Sequence, residues 1–553
     1  MSLFTTVVSK IPKRNRFHQP FESILSADYG KITPAGTFEL DPGNTFIDQV
    51  ECQIKLAPMK APAFGRIDAY LHFFFVPRRL LYDEFEQFIT GGVTGTFAQD
   101  VSELNPVAPC FNFEDLVAND KLLSGSLADY LGMPSIDDDE GDSYPGIPPI
   151  DAMPWAAYHK IFSDWYRDEL LDTDEFEPLS GGLIADTDPN FDKLNAFKYR
   201  AWKKDYFTSA RPDTQLGAPV GVPITGELVP DGPLRISHNN SFSTSYRLAA
   251  VGAGEAEEVS SGVFASEIFL RNSQDAKAGT AFQYADGISL DSALMMINDW
   301  RTALKTQMWK EKNMRGGNRY IENIFHHFGV HSSDARLQRA QYLGGRKIPV
   351  VIGEVLQSVD TRTTTEGVTT GNPLGQRAGV ANAGGNSQRI KFFAEEHGFI
   401  LCLLSILPHA AYFQGIPRMF AARWDPMDYV WPEFGNLGEQ EVYNWELFVD
   451  RGGNPQNSAV FGYQSRYADR KYRPNEIHGE FRKGQMTSWH TARIFENRPN
   501  LNKNFIYFSD DVYAEGQNRI FVNESNENAA HFYVHLWHDL TLVEHLPKYG
   551  IPF

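Results

Sequence analysis

Between residues 66 and 76, Ile67, Ala69, Leu71, Phe73 and Phe75 alternate with Asp68, Tyr70 and His72. A period of two puts neighbours on opposite faces, so this segment predicts a strand with one face in a core, ended by Pro77. Residues 399–407 form an apolar run long enough for one fully buried strand and too short to span a membrane. Further strands are predicted at 348–355, 390–393, 398–407, 506–508 and 531–543. In the last, Phe532, Val534 and Leu536 alternate with His531, Tyr533, His535 and Trp537. Helical spacing occurs twice. Over 155–171 it joins Tyr158, Ile161, Phe162, Trp165, Tyr166 and Leu170; over 290–314 it joins Leu294, Ile297, Trp300 or Ala303, Leu304 and Met308. Ser289 or Asp291 would cap the second helix, and Gly316-Gly317 would end it. Strands this far apart in sequence must pair with one another, which predicts a sandwich or jelly roll rather than a βαβ sheet.

The stretch 408–434 fits neither period. Pro417, Pro426 and Pro432 interrupt it, and Phe420, Trp424, Tyr429, Trp431 and Phe434 crowd it with rings. Each proline fixes φ and removes a donor, so an ordered, irregular loop is expected. Such a loop is either packed beside the core or covered by something large. Residues 100–153 also read as loop, and 218–288 turn rich in Gly, Ala, Ser and Thr, with 251–262 as an exposed loop. The first 35 residues read as an arm.

Composition narrows the class. Of 553 residues, 42% are hydrophobic and 13% aromatic, enough for a large core and too much for a disordered chain. The 45 Gly and 32 Pro favour a turn-rich β architecture. Three cysteines, Cys52, Cys110 and Cys402, make neither a disulfide framework nor a CxxC metal pair. The N-terminus places its charges after the apolar stretch, the reverse of a secretory signal. A net charge of −19 argues against nucleic-acid binding by the chain as a whole. Any enclosed DNA would need small basic proteins, polyamines or metal ions for most of its neutralisation. Basic clusters do occur at Lys10, Lys13, Arg14 and Arg16, at Lys198, Arg200, Lys203 and Lys204, and at Arg466, Arg470, Lys471 and Arg473. Each is either a solvated face or an anion contact. The first, with no acidic residue before Glu22, is the DNA-facing candidate.

No catalytic constellation emerges. Glu395 and Glu396 would point to opposite faces of a strand and cannot act as a glycosidase pair. His326, His327 and His331 have no intervening HExxH glutamate, and the acidic run 137–142 lacks the EF-hand register. There is no P-loop, GxSxG elbow or dinucleotide fingerprint. No catalytic residue, metal site or cofactor is assigned.

A resemblance sharpens this picture. Gly415-Ile416-Pro417-Arg418, Asp428-Tyr429, Trp431-Pro432 and Leu437-Gly438-Glu439-Gln440 resemble the major capsid protein of microviruses (Microviridae), small single-stranded DNA bacteriophages, in their gokushovirus branch. Similar blocks run in order along the chain: FFFVPRRL (73–80), FSDWYRDELL (162–171), KKDYFTSARPDTQLG (203–217), FGVHSSDARLQRAQYLGG (328–345), EEHGFI (395–400) and FGYQSRYADRKYRPNEIHGEFR (461–482). Only about 100–150 and about 218–288 lie outside it. The resemblance implies an eight-stranded antiparallel jelly roll with long insertions, forming a T=1 icosahedral shell around circular ssDNA. It divides the chain into a basic, interior arm (1–35), one jelly-roll domain (36–553), a surface insertion at the threefold axes that meets the host (218–288) and a C-terminal tail (545–553). Interface candidates are Tyr412, Phe413, Pro417, Arg418, Phe420, Trp424, Tyr429, Trp431, Phe434 and Phe553. Implied partners are further copies of the chain, packaged ssDNA, a small basic DNA-packaging protein, a pilot protein, an internal scaffolding protein and a host-surface receptor. The implied location is the virion, assembled in the bacterial cytoplasm. A β-sandwich that binds or cleaves glycans is the competing expectation; it explains the aromatics and acidity but not the ordered blocks.

Overall fold

The computed structural model describes residues 13–90, 107–137, 144–218, 225–230, 246–250, 268–272, 288–294, 297–316, 322, 325–326, 331, 333–356, 363–365, 368–370, 377–386, 388–451, 456–508, 516–522 and 530–548. It divides into two compact units, Met1–Leu216 with Glu311–Phe553, and Gly217–Lys310.

The larger unit is built on antiparallel sheets. Its main strands are β1 (Asn15–His18), β2 (Phe21–Ala27), β3 (Thr33–Leu40), β4 (Thr45–Asp48), β5 (Val50–Leu56), β6 (Ile67–Pro77), β7 (Gln341–Leu356), β8 (Arg377–Asn386), β9 (Ile390–Phe393), β10 (Gly398–Pro408), β11 (Glu439–Tyr443), β12 (Val460–Ser465), β13 (Phe532–His538) and β14 (Thr541–Glu544). Eight of them form one sheet in the order β2-β13-β5-β8-β7-β6-β10-β3, and four form a second, β1-β14-β4-β9. This is the mainly β, antiparallel class expected of a jelly roll. The edge strands of the large sheet, β2 and β3, are consecutive in sequence. In the turn between them Tyr29 bridges Ile406 on β10, and the Gly30 amide donates to the Ile406 carbonyl at 2.8 Å. Gly30 has φ +71°, and a Cβ there would collide with Phe508, so the turn requires glycine.

Strands β6 and β10 pair along their whole length, from Ile67 opposite Pro408 to Pro77 opposite Gly398. Their alternation serves two cores. Ile67, Ala69, Leu71, Phe73 and Phe75 join Ile400, Cys402, Leu404 and Ile406 in the principal core. On the other face, Phe74 and Val76 join Phe399, Leu401 and Leu403 in a second core with Trp155, Tyr158 and Ile161. The expectation of one buried face for 66–76 is therefore corrected: a helical layer covers the reverse side. Strands buried on both faces read as continuous apolar runs, which explains residues 399–407. Near the Ile67 end of β6, Asp68 is fully buried; burial pushes its carboxyl up, but the hydrogen bonds and charges of Lys347 Nζ and His409 Nε2, each at 2.6 Å, outweigh this and hold it below the usual range.

Several element boundaries differ from expectation. The 155–171 helix is an α-helix at Met153–Ile161 that widens into a π-turn at Phe162–Tyr166, and Arg167 is already extended. The 290–314 helix splits into a strand, Ile288–Leu294, and a helix, Ile297–Gly316. Ile506 ends a short helix (Lys503–Ile506) and Tyr507 makes only an isolated bridge to Ala201, so 506–508 form no strand, and 531–543 break into β13 and β14. Residues 13–35 of the expected arm are laid into the sheets: β1 pairs with β14, and β2 with β13. The remainder, residues 1–12, lies outside the described residues.

The smaller unit contains two antiparallel ladders, Thr225–Pro230 with Ile288–Leu294 and Tyr246–Ala250 with Ile268–Asn272. The whole 218–288 segment falls within it.

The second core also holds a buried histidine. His159 Nε2 lies 2.8 Å from the Leu194 carbonyl, and burial pulls its pKa down to about 4. Between pH 6.5 and 4 the unfolded chain therefore takes up a proton that the folded chain refuses, so the folded state loses stability as pH falls. Relative to wild type, a His159→Gln variant is expected to recover on the order of 3 kcal/mol across that window. Denaturant unfolding of both proteins at pH 7 and pH 4 checks this; a constant difference between them would refute it.

Candidate assembly surface

The segment after β10 leaves the core by a fixed route. Tyr412 is buried, and its hydroxyl donates to Asp205 at 2.7 Å. Gln414 then spans to residue 495 twice, donating to the Phe495 carbonyl and accepting from the Phe495 amide, each at 2.8 Å. At Gly415 the backbone passes against Glu446; a Cβ would overlap the Glu446 carbonyl, so only glycine fits. The Ile416 amide donates to Trp445 O at 2.8 Å. Arg418 closes this anchor by donating to the Glu441 carbonyl at 2.6 Å and reaching Glu446 at 3.4 Å. Glu446 also accepts from the Tyr206 hydroxyl at 2.9 Å. Burial raises the Glu446 pKa, with Arg418 opposing the shift. The block Gly415-Ile416-Pro417-Arg418 is thus a clamp on the sheet edge.

Beyond the clamp the chain makes three 3-10 turns, Arg418–Phe420, Pro426–Asp428 and Pro432–Phe434. They are held from within. Asp428 accepts from the Trp424 and Asp425 amides at 2.9 and 3.0 Å, which lowers its pKa. Trp431 Nε1 donates to the Pro426 carbonyl at 2.8 Å, and the Trp431 amide donates to the Tyr467 hydroxyl at 3.2 Å. Tyr467 adopts φ +60°, rare for a bulky residue, and its amide donates to Gln440 at 2.8 Å. Backbone polar groups are thereby satisfied without burying the rings.

The rings face outward. Trp424 is 90% exposed and Phe420 68%; Met419, Tyr429, Trp431 and Leu437 are exposed as well. A neighbouring groove of about 570 Å³ is lined by Arg418, Trp424, Tyr443, Arg466 and Arg470, joining this loop to the 461–482 block. Scattered apolar side chains are ordinary on a surface, but a rigid cluster of aromatic ones marks an interaction site. Of the two readings of 408–434, this geometry favours a surface that something else covers.

The other expected residues are distributed as follows. Phe413, Arg418 and Phe434 are half-buried and Pro417 exposed; Phe553 and Lys10 lie outside the described residues. Lys13 is exposed. Arg14 donates to His545 at 2.9 Å and lies 5.1 Å over the Phe393 ring, while Arg16 reaches Thr541 at 3.4 Å, so both rest on or beside β14. In the EEH motif, Glu396 makes a two-point contact with Arg79 (2.6 and 3.2 Å), a link between two of the family-like blocks. His331 stacks on Phe325, the His326 ring is tilted against it, and His327 lies outside the described residues. Met419, Leu437 and Tyr467 were missed by the sequence reading. Their only signal was their place within or beside the family-like blocks.

A family described as "Capsid protein (F protein)" matches residues 5–553. The chain belongs to this capsid protein family. Similar relatives are the capsid protein VP1 of Chlamydia phage 1, 31% identical over 91% of this chain and 90% of that one, and the capsid protein VP1 of Bdellovibrio phage phiMH2K, 30% identical over 99% and 97%. The capsid protein VP1 of Spiroplasma virus 4 is 28% identical over 98% and 95%. The chain is a structural capsid protein of a microvirus-like virion, and the expectation drawn from the ordered blocks holds. No helix among the described residues of this capsid protein is long and apolar enough to cross a membrane.

Proposed function

We propose that this capsid protein closes a T=1 icosahedral shell around circular single-stranded DNA and has no catalytic activity of its own. The observation that supports this reading best is the rigid, outward-facing aromatic cluster at 418–437 on a sheet-built body. A neighbouring copy of the chain covers it in the shell. Such contacts are individually modest, and closed symmetry makes them collectively strong. A basic packaging protein, a pilot protein and an internal scaffold share the work, since a chain of charge −19 neutralises little DNA alone. Assembly takes place in the host cytoplasm.

Sedimentation of the source-purified protein, imaging of the fast fraction and a test for nuclease-protected DNA examine the whole reading together. Closed isometric particles with protected single-stranded DNA are expected. A small oligomer without DNA would overturn the proposal and make glycan binding the next assay. The Gly217–Lys310 unit supplies host attachment in this scheme, consistent with its being a compact unit of its own. Deletion of 225–285 is expected to leave shell yield intact and reduce adsorption to host cells at least about tenfold, as removal of a receptor contact of ordinary strength would. Unchanged adsorption would exclude that role.

A further inference from the structure

A cavity of about 690 Å³ opens in the larger unit, on the reverse face of β6 from the principal core. Its size falls within the roughly 300–1,000 Å³ of ligand sites. Tyr70, Tyr166 and Tyr342 contribute aromatic walls, and Arg200, Lys203 and Lys204 contribute cations. The guanidinium of Arg200 lies 4.1 Å over the Tyr70 ring and 5.6 Å over that of Tyr166, and it donates to the Ser405 hydroxyl at 2.8 Å. No carboxylate pairs with Arg200, Lys203 or Lys204 among the described residues. The acids that also line the cavity, Asp168, Glu169 and Glu322, are electrostatic neighbours of Arg211. Burial lowers the Arg200 pKa, with Tyr166, Tyr70 and Tyr342 opposing the shift. Tyr342 is 40% exposed, and its ring packs on Phe74 and Trp165 at 5.3 and 5.5 Å. It is a fixed platform beside an unmatched cation.

We infer that this cavity seats a nucleotide of single-stranded nucleic acid, its phosphate at Arg200 with Lys203 and Lys204 and its base stacked on Tyr342. The pairing of a flat aromatic surface with a phosphate-binding guanidinium is what single-strand recognition requires. An acidic peptide would satisfy the cations and leave the ring unused. The site rests on the capsid reading only for the origin of its strand. It also moves the DNA contact from the expected N-terminal cluster to side chains held in the sheet body.

The test is fluorescence anisotropy of the purified full chain with a labelled oligothymidine of about eight nucleotides, matching the few nucleotides one such groove tracks. Arg200→Gln is expected to weaken binding about tenfold or more and to reduce the salt dependence by about one counterion. Tyr342→Ala is expected to weaken it about tenfold with the salt dependence unchanged. Lys471→Gln, at a separate basic cluster, serves as the control and should bind as wild type. Thermal melts establish that the variants are folded, and the exposed Tyr342 variant keeps the test open if Arg200→Gln does not fold. Binding unaffected by either substitution would overturn the proposal. So would competition by inorganic phosphate or a polyglutamate peptide at the same concentration as the oligonucleotide. Sedimentation of the same variants separates the two readings: shells with weakened oligonucleotide binding support the site, whereas intact binding in a chain that forms no shells would refute the capsid scheme alone.

Discussion

Replacing both Phe420 and Trp424 by alanine is expected to leave the subunit folded and to prevent it from forming particles. Both rings are exposed in the isolated chain, so their removal takes little packing from the fold, and its stability should change by no more than about 0.5 kcal/mol each. At a protein interface, truncating a central aromatic anchor costs about 2–4 kcal/mol, or roughly 30- to 1,000-fold in affinity per contact. Every copy in a closed shell repeats the loss, so the concentration needed for assembly should rise beyond any reached in a cell. Melting curves of the soluble variant and sedimentation of its particles give the two readouts. Wild-type particle yield would show that this face stays bare in the virion.

The opposite outcome is expected at Arg493. Its side chain is completely buried, donating to the Phe505 carbonyl at 2.7 Å and to the Tyr412 hydroxyl at 3.3 Å, with the Phe505 and Trp202 rings 4.2 and 4.9 Å away. Through Tyr412 it faces Asp205, so the three residues form one charge-balanced chain. Methionine would fill much of the volume but leave the Phe505 carbonyl without this donor and Asp205 without its distant cation. Breaking a buried network of this kind costs about 3–5 kcal/mol, a large part of the stability of any domain. Arg493→Met is therefore expected to lower the melting temperature sharply and drive the chain into aggregates. Arg473→Met removes an exposed pair with Glu476 and should leave the melting temperature nearly unchanged. Equal behaviour of the two variants would show that burial of Arg493 carries no structural weight.

The strands were legible where a single period governed the sequence. Residues 66–76 gave away one core face because every second side chain had one environment, and the unbroken apolar run 399–407 marked a strand buried on both faces. The reverse face was not legible, because its cover (Trp155, Tyr158, Ile161) comes from a distant segment whose docking no local pattern records. Leu170 fits helical spacing, yet the π-turn at Phe162–Tyr166 rotates the helix out of phase and ends it. Leu294 likewise suits either a strand or a helix, and the chain uses it to finish a strand. The aromatic loop was recognisable as irregular from its prolines. Its outward display was not, since a ring against a core and a ring awaiting a partner have the same spelling. The basic residues near the start suggested a free arm; their strand partners lie more than five hundred positions away, beyond the reach of local pattern.

That pairing of first strands with last also sets a schedule. The ribosome releases β1 and β2 at the outset, and neither can find its mate until residues 532–544 have been made. Throughout synthesis the chain carries open strand edges and half of a core, the condition in which unfinished polypeptides stick to one another. Completion of the body is thus a post-release event, and only full-length copies acquire a finished sheet. The fold itself acts as an inspection of length, barring truncated chains from a wall in which one defective copy would leave a hole.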